Sequence, residues 1–293
     1  MKKIIPFFVF TLLEFCVLFP ATAGKDSLTF IEEIKAFAFK DMGVELKGDF
    51  FTKSMEQDKP YLYVYVSLPD KVECPKGCDD LFFCNTNEEL AKKKSDTLNS
   101  KGYETFCYKT YANSAAMLNK RLLSYPKEAE SFIIFHELTH NYLSQLGIKI
   151  PYDFNEALCD VIGNYGTRDL YNSSPTLDKN AAKIQLDNNE KIYWCINKYI
   201  SKINARPSKA KELNHQCDKM MKTLLAECNM FQNDRFNFTI NNAYLLKNQY
   251  YSKNYFLLKK VLLKQKSMKD FLELIKSVPS ESMECERYLL KFT

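Results

Sequence analysis

The stretch SFIIFHELTHNYL, residues 131–143, constrains this chain more than any other. Only three histidines occur in 293 residues, and two of them, His136 and His140, fall here with Glu137 beside the first. Their neighbours Phe132, Ile133, Ile134, Phe135 and Leu138 are residues of a core. On a helix, positions four apart share a face one turn apart. Both imidazoles therefore point the same way into apolar surroundings. Buried polar rings without partners are costly, so this helix must pack against something that satisfies both.

A metal ion is such a partner. Two imidazoles at this spacing can ligate one zinc, and Glu137, about 100° further round the helix, reaches the reacting centre without being a ligand. This is the H-E-x-x-H pattern of metallopeptidases. With histidine so scarce, about 0.002 chance matches are expected in a chain of this composition. A catalytic zinc site takes a third protein ligand and keeps one position open. The continuation H-E-x-x-H-x-x-G-x-x-H fails, because Leu143 and Leu146 stand where glycine and histidine belong. The segment Asn155-Glu156-Ala157-Leu158-Cys159-Asp160 resembles the N-E-x-x-x-D element of gluzincin metallopeptidases. That resemblance implies Glu156 as third ligand, with Asp160 and Asn155 supporting the ligands from behind. Gly166-Thr167-Arg168-Asp169 resembles a G-T-x-D element of aspartate-type zinc peptidases, which leaves Asp153, Asp160 or Asp169 as competing third ligands. His215, alone on a polar helical pattern, reads as solvated.

The wider run FIIFHELTHNYL…DFNEALCDVIGNYG resembles a bacterial family named for aminopeptidase activity. Similarity continues upstream through KAFAFKDMGV, YVYVSLPDKVECP and GYETFCYKTYA, and downstream through INNAYLLKNQYYSKNYF. Residues 111–118 depart from the family's motif before the active-site helix, keeping little beyond small residues. The resemblance implies peptide or protein substrates and, weakly, exopeptidase action. Zinc on His136, His140 and Glu156 would activate water for attack on a peptide carbonyl, with Glu137 as general base. Tyr250 and Tyr251 are candidates to steady the oxyanion, and residues 103–112 offer a strand edge for an extended substrate. The competing readings are a gluzincin endopeptidase and a disulfide-stapled binding protein with structural zinc.

Residues 1–23 have two lysines, an apolar run and the small residues Ala21-Thr22-Ala23, the pattern of a cleavable secretory signal. The expected location is secreted or periplasmic, with no membrane span once the signal is removed. Export makes disulfides the expected state of the cysteines. Cys74, Cys78, Cys84 and Cys107 form one group and Cys195, Cys217, Cys228 and Cys285 another, with Cys159 left unpaired. The formal charge of +5, to which Lys2, Lys3 and Glu14 contribute +1, contains no basic block and gives no support for nucleic-acid binding.

Periodicity gives helices over 29–42, 87–102, 126–146 and 155–171, and further helical patterns over 178–205, 208–231 and 240–277. Gly163 and Gly166 weaken the end of the fourth, and Asp153 or Asn155 is expected to cap its start. Residues 61–69 and 103–112 read as strands, and 71–84 as a cysteine-pinned loop. The expected fold is α+β and zincin-like: a signal (1–23), an α+β region (24–125), a zinc-binding helix pair (126–175) and a helical region (176–293).

Overall fold

The computed structural model describes residues 24–48, 50–51, 60–77, 79, 81–110, 122–227 and 239–293. The expectations for residues 1–23, for residues 111–118 and for Cys78 and Cys228 lie outside them. The chain is mainly helical with one small antiparallel sheet, in keeping with an α+β class. Among the described residues, no helix is long and apolar enough to cross a membrane.

Helix α1 (Gly24–Met42) is followed by strands β1 (Tyr61–Ser67) and β2 (Leu81–Phe83), helix α2 (Glu88–Asn99) and strand β3 (Glu104–Thr110). The sheet order is β2-β1-β3, with β1 antiparallel to both neighbours. Successive side chains of a strand face opposite ways, and β1 uses both faces. Leu62, Val64 and Val66 pack on Ala91 and Leu98 of α2, while Tyr63 and Tyr65 join Tyr108 on the other side. Strand β2 corrects the expectation of a loop over 71–84. Leu81, Phe82 and Phe83 pair with Tyr65, Val64 and Tyr63, so an apolar triplet too short to read as a strand is recruited by the edge beside it.

Helices α3 (Lys127–Gln145) and α4 (Tyr152–Ser173) make the most extensive helix pair among the described residues. Helix α3 ends at Gly147, where φ is +67°. There the Gly147 and Ile148 amides donate to the Ser144 and Leu143 carbonyls, a Schellman ending that turns the chain back on itself. Helix α4 starts after Pro151, whose carbonyl accepts from the Phe154 and Asn155 amides. Neither Asp153 nor Asn155 caps it, because proline's fixed φ already sets the helix entry. Asp153 instead accepts hydrogen bonds from Lys253, Asn254 and Ser282.

The two glycines of α4 do not weaken it; the helix runs on to Ser173. A Cβ on Gly163 would lie 2.8 Å from the Phe132 ring and 2.9 Å from the Phe132 carbonyl oxygen, and one on Gly166 would lie 3.1 Å from the Phe135 ring. Glycine at both places lets α4 settle directly against α3, and that packing outweighs its poor helix propensity.

Beyond the pair lie α5 (Lys179–Ala205), α6 (Ala210–Glu227), α7 (Asn242–Ser252), α8 (Tyr255–Leu262), α9 (Met268–Ile275) and α10 (Ser282–Leu290). The helical pattern of 240–277 is thus three helices, not one. Ser267 breaks it by capping α9, accepting from the Asp270 amide and donating to the Asp270 carboxylate, a reciprocal arrangement of the capping-box kind. One large core joins α1, α3, α4, α8, α9 and α10. A second lies between α5, α6 and α7. Helix α7 also packs across the tyrosine face of the sheet through Ala243.

Cys84, Cys107, Cys159, Cys195, Cys217 and Cys285 are free thiols. The expected second group is divided: Cys195 and Cys217 share the second core, while Cys285 lies in the large one.

Candidate metal centre

The close α3–α4 contact sets His136, Glu137 and His140 against Glu156, Cys159 and Asp160. All six are at most 3 % exposed. His136 Nε2 and His140 Nε2 face each other at 3.0 Å. Two ring nitrogens so close cannot both point protons at one another, so a single proton or a cation belongs between them. Glu156 Oε2 lies 3.6 Å from each of these nitrogens.

Each imidazole is held from behind by α4. Asp160 Oδ1 lies 2.8 Å from His136 Nδ1, and the Tyr193 hydroxyl donates to the other oxygen of Asp160. Cys159 Sγ lies 3.3 Å from His140 Nδ1 and 3.5 Å from Asn155 Oδ1. An Nδ1–H donating to sulfur, and the thiol donating onward to Asn155, give His140 the tautomer whose Nε2 carries a free lone pair. Asn155 thus reaches its histidine through Cys159.

His136, His140 and Cys159 are close enough to hold a metal ion, with ligand atoms within 4.8 Å of one another. The orientation of His140 divides the work. Its Nε2 faces His136 and Glu156, and its Nδ1 faces Cys159. The two nitrogens of one ring point in divergent directions, so the Nε2 side is the one shared with His136.

Electrostatics follow from burial and proximity. Burial disfavours a charged His136, but Asp160 and Glu156 outweigh it and raise its pKa to about 10. Burial likewise raises Glu156, yet the two histidines hold it down at about 2. Burial pushes Glu137 well above the usual carboxylate range; His136 opposes the rise and Glu156 adds to it. Both Glu137 oxygens and Glu156 Oε2 are buried without a hydrogen-bond partner. Such orphans are rare in folded proteins and call for an explanation.

The two tyrosines differ. Tyr251 is 1 % exposed. Burial raises its pKa well above the ordinary value, and Glu156 is the next cause. Tyr250 is half-buried and packs its ring on Tyr152, with centroids 4.7 Å apart. Asp169 pairs with its neighbour Arg168 at 2.7 Å, and Asp153, at the start of α4, is engaged with the α7–α8 connection and α10. Of the competing third ligands, only Asp160 is in the cluster, and it is behind His136.

Three participants escaped sequence reasoning. Tyr193 supports Asp160 from α5, where it sits in an ordinary amphipathic pattern. Cys159 was expected only as a spare thiol. Lys247, 3 % exposed, places its Nζ 4.1 Å from the Tyr108 ring centre and 5.4 Å from that of Tyr251. Its one signal was a lysine within an apolar helical face.

No protein-family model matches the chain, and comparisons with curated proteins and with solved structures found no match either.

Proposed function

We propose that the chain is a zinc-dependent peptide hydrolase whose metal is held by His136, His140 and Glu156. One observation carries this reading: two imidazole nitrogens and one carboxylate oxygen converge beside a glutamate whose oxygens have no other partner. A triangle with sides of 3.0, 3.6 and 3.6 Å has a circumscribed radius of about 2.0 Å, close to zinc's bond length to nitrogen or oxygen. Two nitrogens and an oxygen also suit zinc chemically. An ion there would satisfy the orphaned Glu156 Oε2 and replace the proton that otherwise has to lie between the rings.

Bound zinc acts as a Lewis acid towards water and a peptide carbonyl. The chain's own residues do the rest. Glu137, kept basic by burial and by Glu156, takes the proton from the attacking water and passes it to the leaving amine. Asp160, itself held by Tyr193, fixes the His136 ring, and Cys159 fixes the His140 ring. Tyr251 is the candidate donor to the oxyanion. β3, at the outer position of the sheet, is the candidate edge for an extended substrate, and the resemblance to aminopeptidases favours substrates with a free N-terminus.

The competing reading is a closed structural zinc with Cys159 as a ligand, favoured by the burial of the cluster. Metal analysis of the purified chain, with hydrolysis of peptides bearing free or acetylated N-termini, tests both. The enzyme reading expects one zinc per chain and cleavage that is lost in Glu137→Gln with zinc retained. Zinc without cleavage of any peptide would favour the structural reading, and absence of zinc binding would end both.

A further inference from the structure

The second core holds a pair of thiols that the proposed hydrolase does not use. Cys195 of α5 and Cys217 of α6 are both 0 % exposed and share one apolar cluster with Ile192, Ile196, Leu213 and Met221. The two helices are joined by the short turn Pro207–Lys209 and run back along one another. Cys195 and Cys217 stand at equal sequence distances either side of Arg206, so the hairpin brings them level. The two thiols are near enough that each is the largest influence on the other's titration. The Cys217 thiol holds Cys195 below its usual thiol value, against burial and with help from Lys198, while Cys195 and burial together raise Cys217.

We infer that Cys195 and Cys217 form a disulfide that staples α5 to α6. The reaction is exchange with a small disulfide oxidant of the oxidised-glutathione class. The Cys195 thiolate attacks one sulfur of the oxidant and expels a thiolate, leaving a mixed disulfide. The Cys217 thiolate then attacks the Cys195 sulfur, forming the intramolecular bond and expelling the second thiolate. The protein's thiols give up two electrons and two protons, and the oxidant becomes two thiols. Because both sulfurs are sealed in the folded protein, exchange belongs to folding, before the helices close. The bridge constrains the unfolded chain across a 22-residue separation. It also divides the second cysteine group differently from a bridge to Cys285, which lies in the other core.

The test is oxidative refolding of the full chain, independent of its metal or activity. Reduced, denatured protein is refolded with a glutathione pair poised as in an export compartment, alkylated under denaturing conditions and mapped by mass spectrometry. The expected result is a peptide containing Cys195 linked to one containing Cys217 in most folded chains. Adding reductant during refolding should lower the thermal midpoint by about 5–10 °C. The Cys195→Ala, Cys217→Ala double variant, which strands neither partner of the bridge, should match the reduced midpoint and lose its dependence on the redox buffer. Recovery of both cysteines alkylated, or of either linked to Cys228 or Cys285, would overturn the inference.

Discussion

Gly163 of α4 lies so close to Phe132 of α3 that a methyl group on its α-carbon would stand 2.9 Å from the Phe132 carbonyl oxygen. This contact lies on the same helix interface as the pairing of His136 with Asp160 and fixes how near the two helices come. Gly163→Ala must therefore push the helices apart. It should cost about 1–3 kcal/mol as an overpacked core does and lower zinc affinity in parallel. Gly166→Ala meets only the Phe135 ring, at 3.1 Å, and should cost less. Thermal melts and zinc titrations of both variants check this; an unchanged Gly163→Ala protein would contradict it.

Glu137→Gln keeps the shape of the side chain and removes its capacity to take a proton. Loss of general-base action should lower kcat by roughly 10²–10⁴-fold, with zinc content unchanged. Steady-state kinetics beside metal analysis of the same preparation is the check.

The supports behind the histidines should be separable. Asp160→Asn keeps the shape but loses the charge opposite His136, and zinc affinity should fall about 10–100-fold, as for other outer ligands. Cys159→Ala removes the contact to His140 Nδ1 and should weaken zinc similarly, whereas Cys159→Ser, which can still bridge to Asn155, should recover much of it. Competition with a chelator of known affinity measures all three. If Cys159→Ser behaves like Cys159→Ala, sulfur is needed as a ligand, and the structural reading gains.

Metal removal should leave a recognisable pH profile. Glu156 sits at about 2 in the folded protein, so its stabilisation is present above the unfolded value and is lost as pH falls through 2. His136, raised to about 10, stabilises fully below its unfolded value and loses that contribution as pH rises through 10. Glu137, raised by burial, adds to the alkaline loss. Chelator-treated protein should be most stable on the acid side of neutrality and weaken steadily above it. Zinc should flatten the alkaline arm by replacing the proton between the rings. Melting curves across pH with and without chelator would refute this if the two profiles ran parallel.

What was legible in the sequence was whatever local geometry decides. The spacing of His136, Glu137 and His140 puts them together on any α-helix, Gly147 ends that helix wherever it packs, and the aromatic and β-branched run from Tyr61 makes a strand. The pairing with Glu156 and Asp160 was readable because those residues share a face of the next helix across a short connection. Strand β2, the role of Cys159, Tyr193 behind Asp160, Lys247 among tyrosines and the nearness of Cys195 to Cys217 depend on which helix faces meet. Nothing in the periodicity of one segment reports what lies across from it. Gly163 and Gly166 make the difference concrete: taken locally they are helix breakers, and only the packed pair reveals that their missing side chains let the two halves of the site touch.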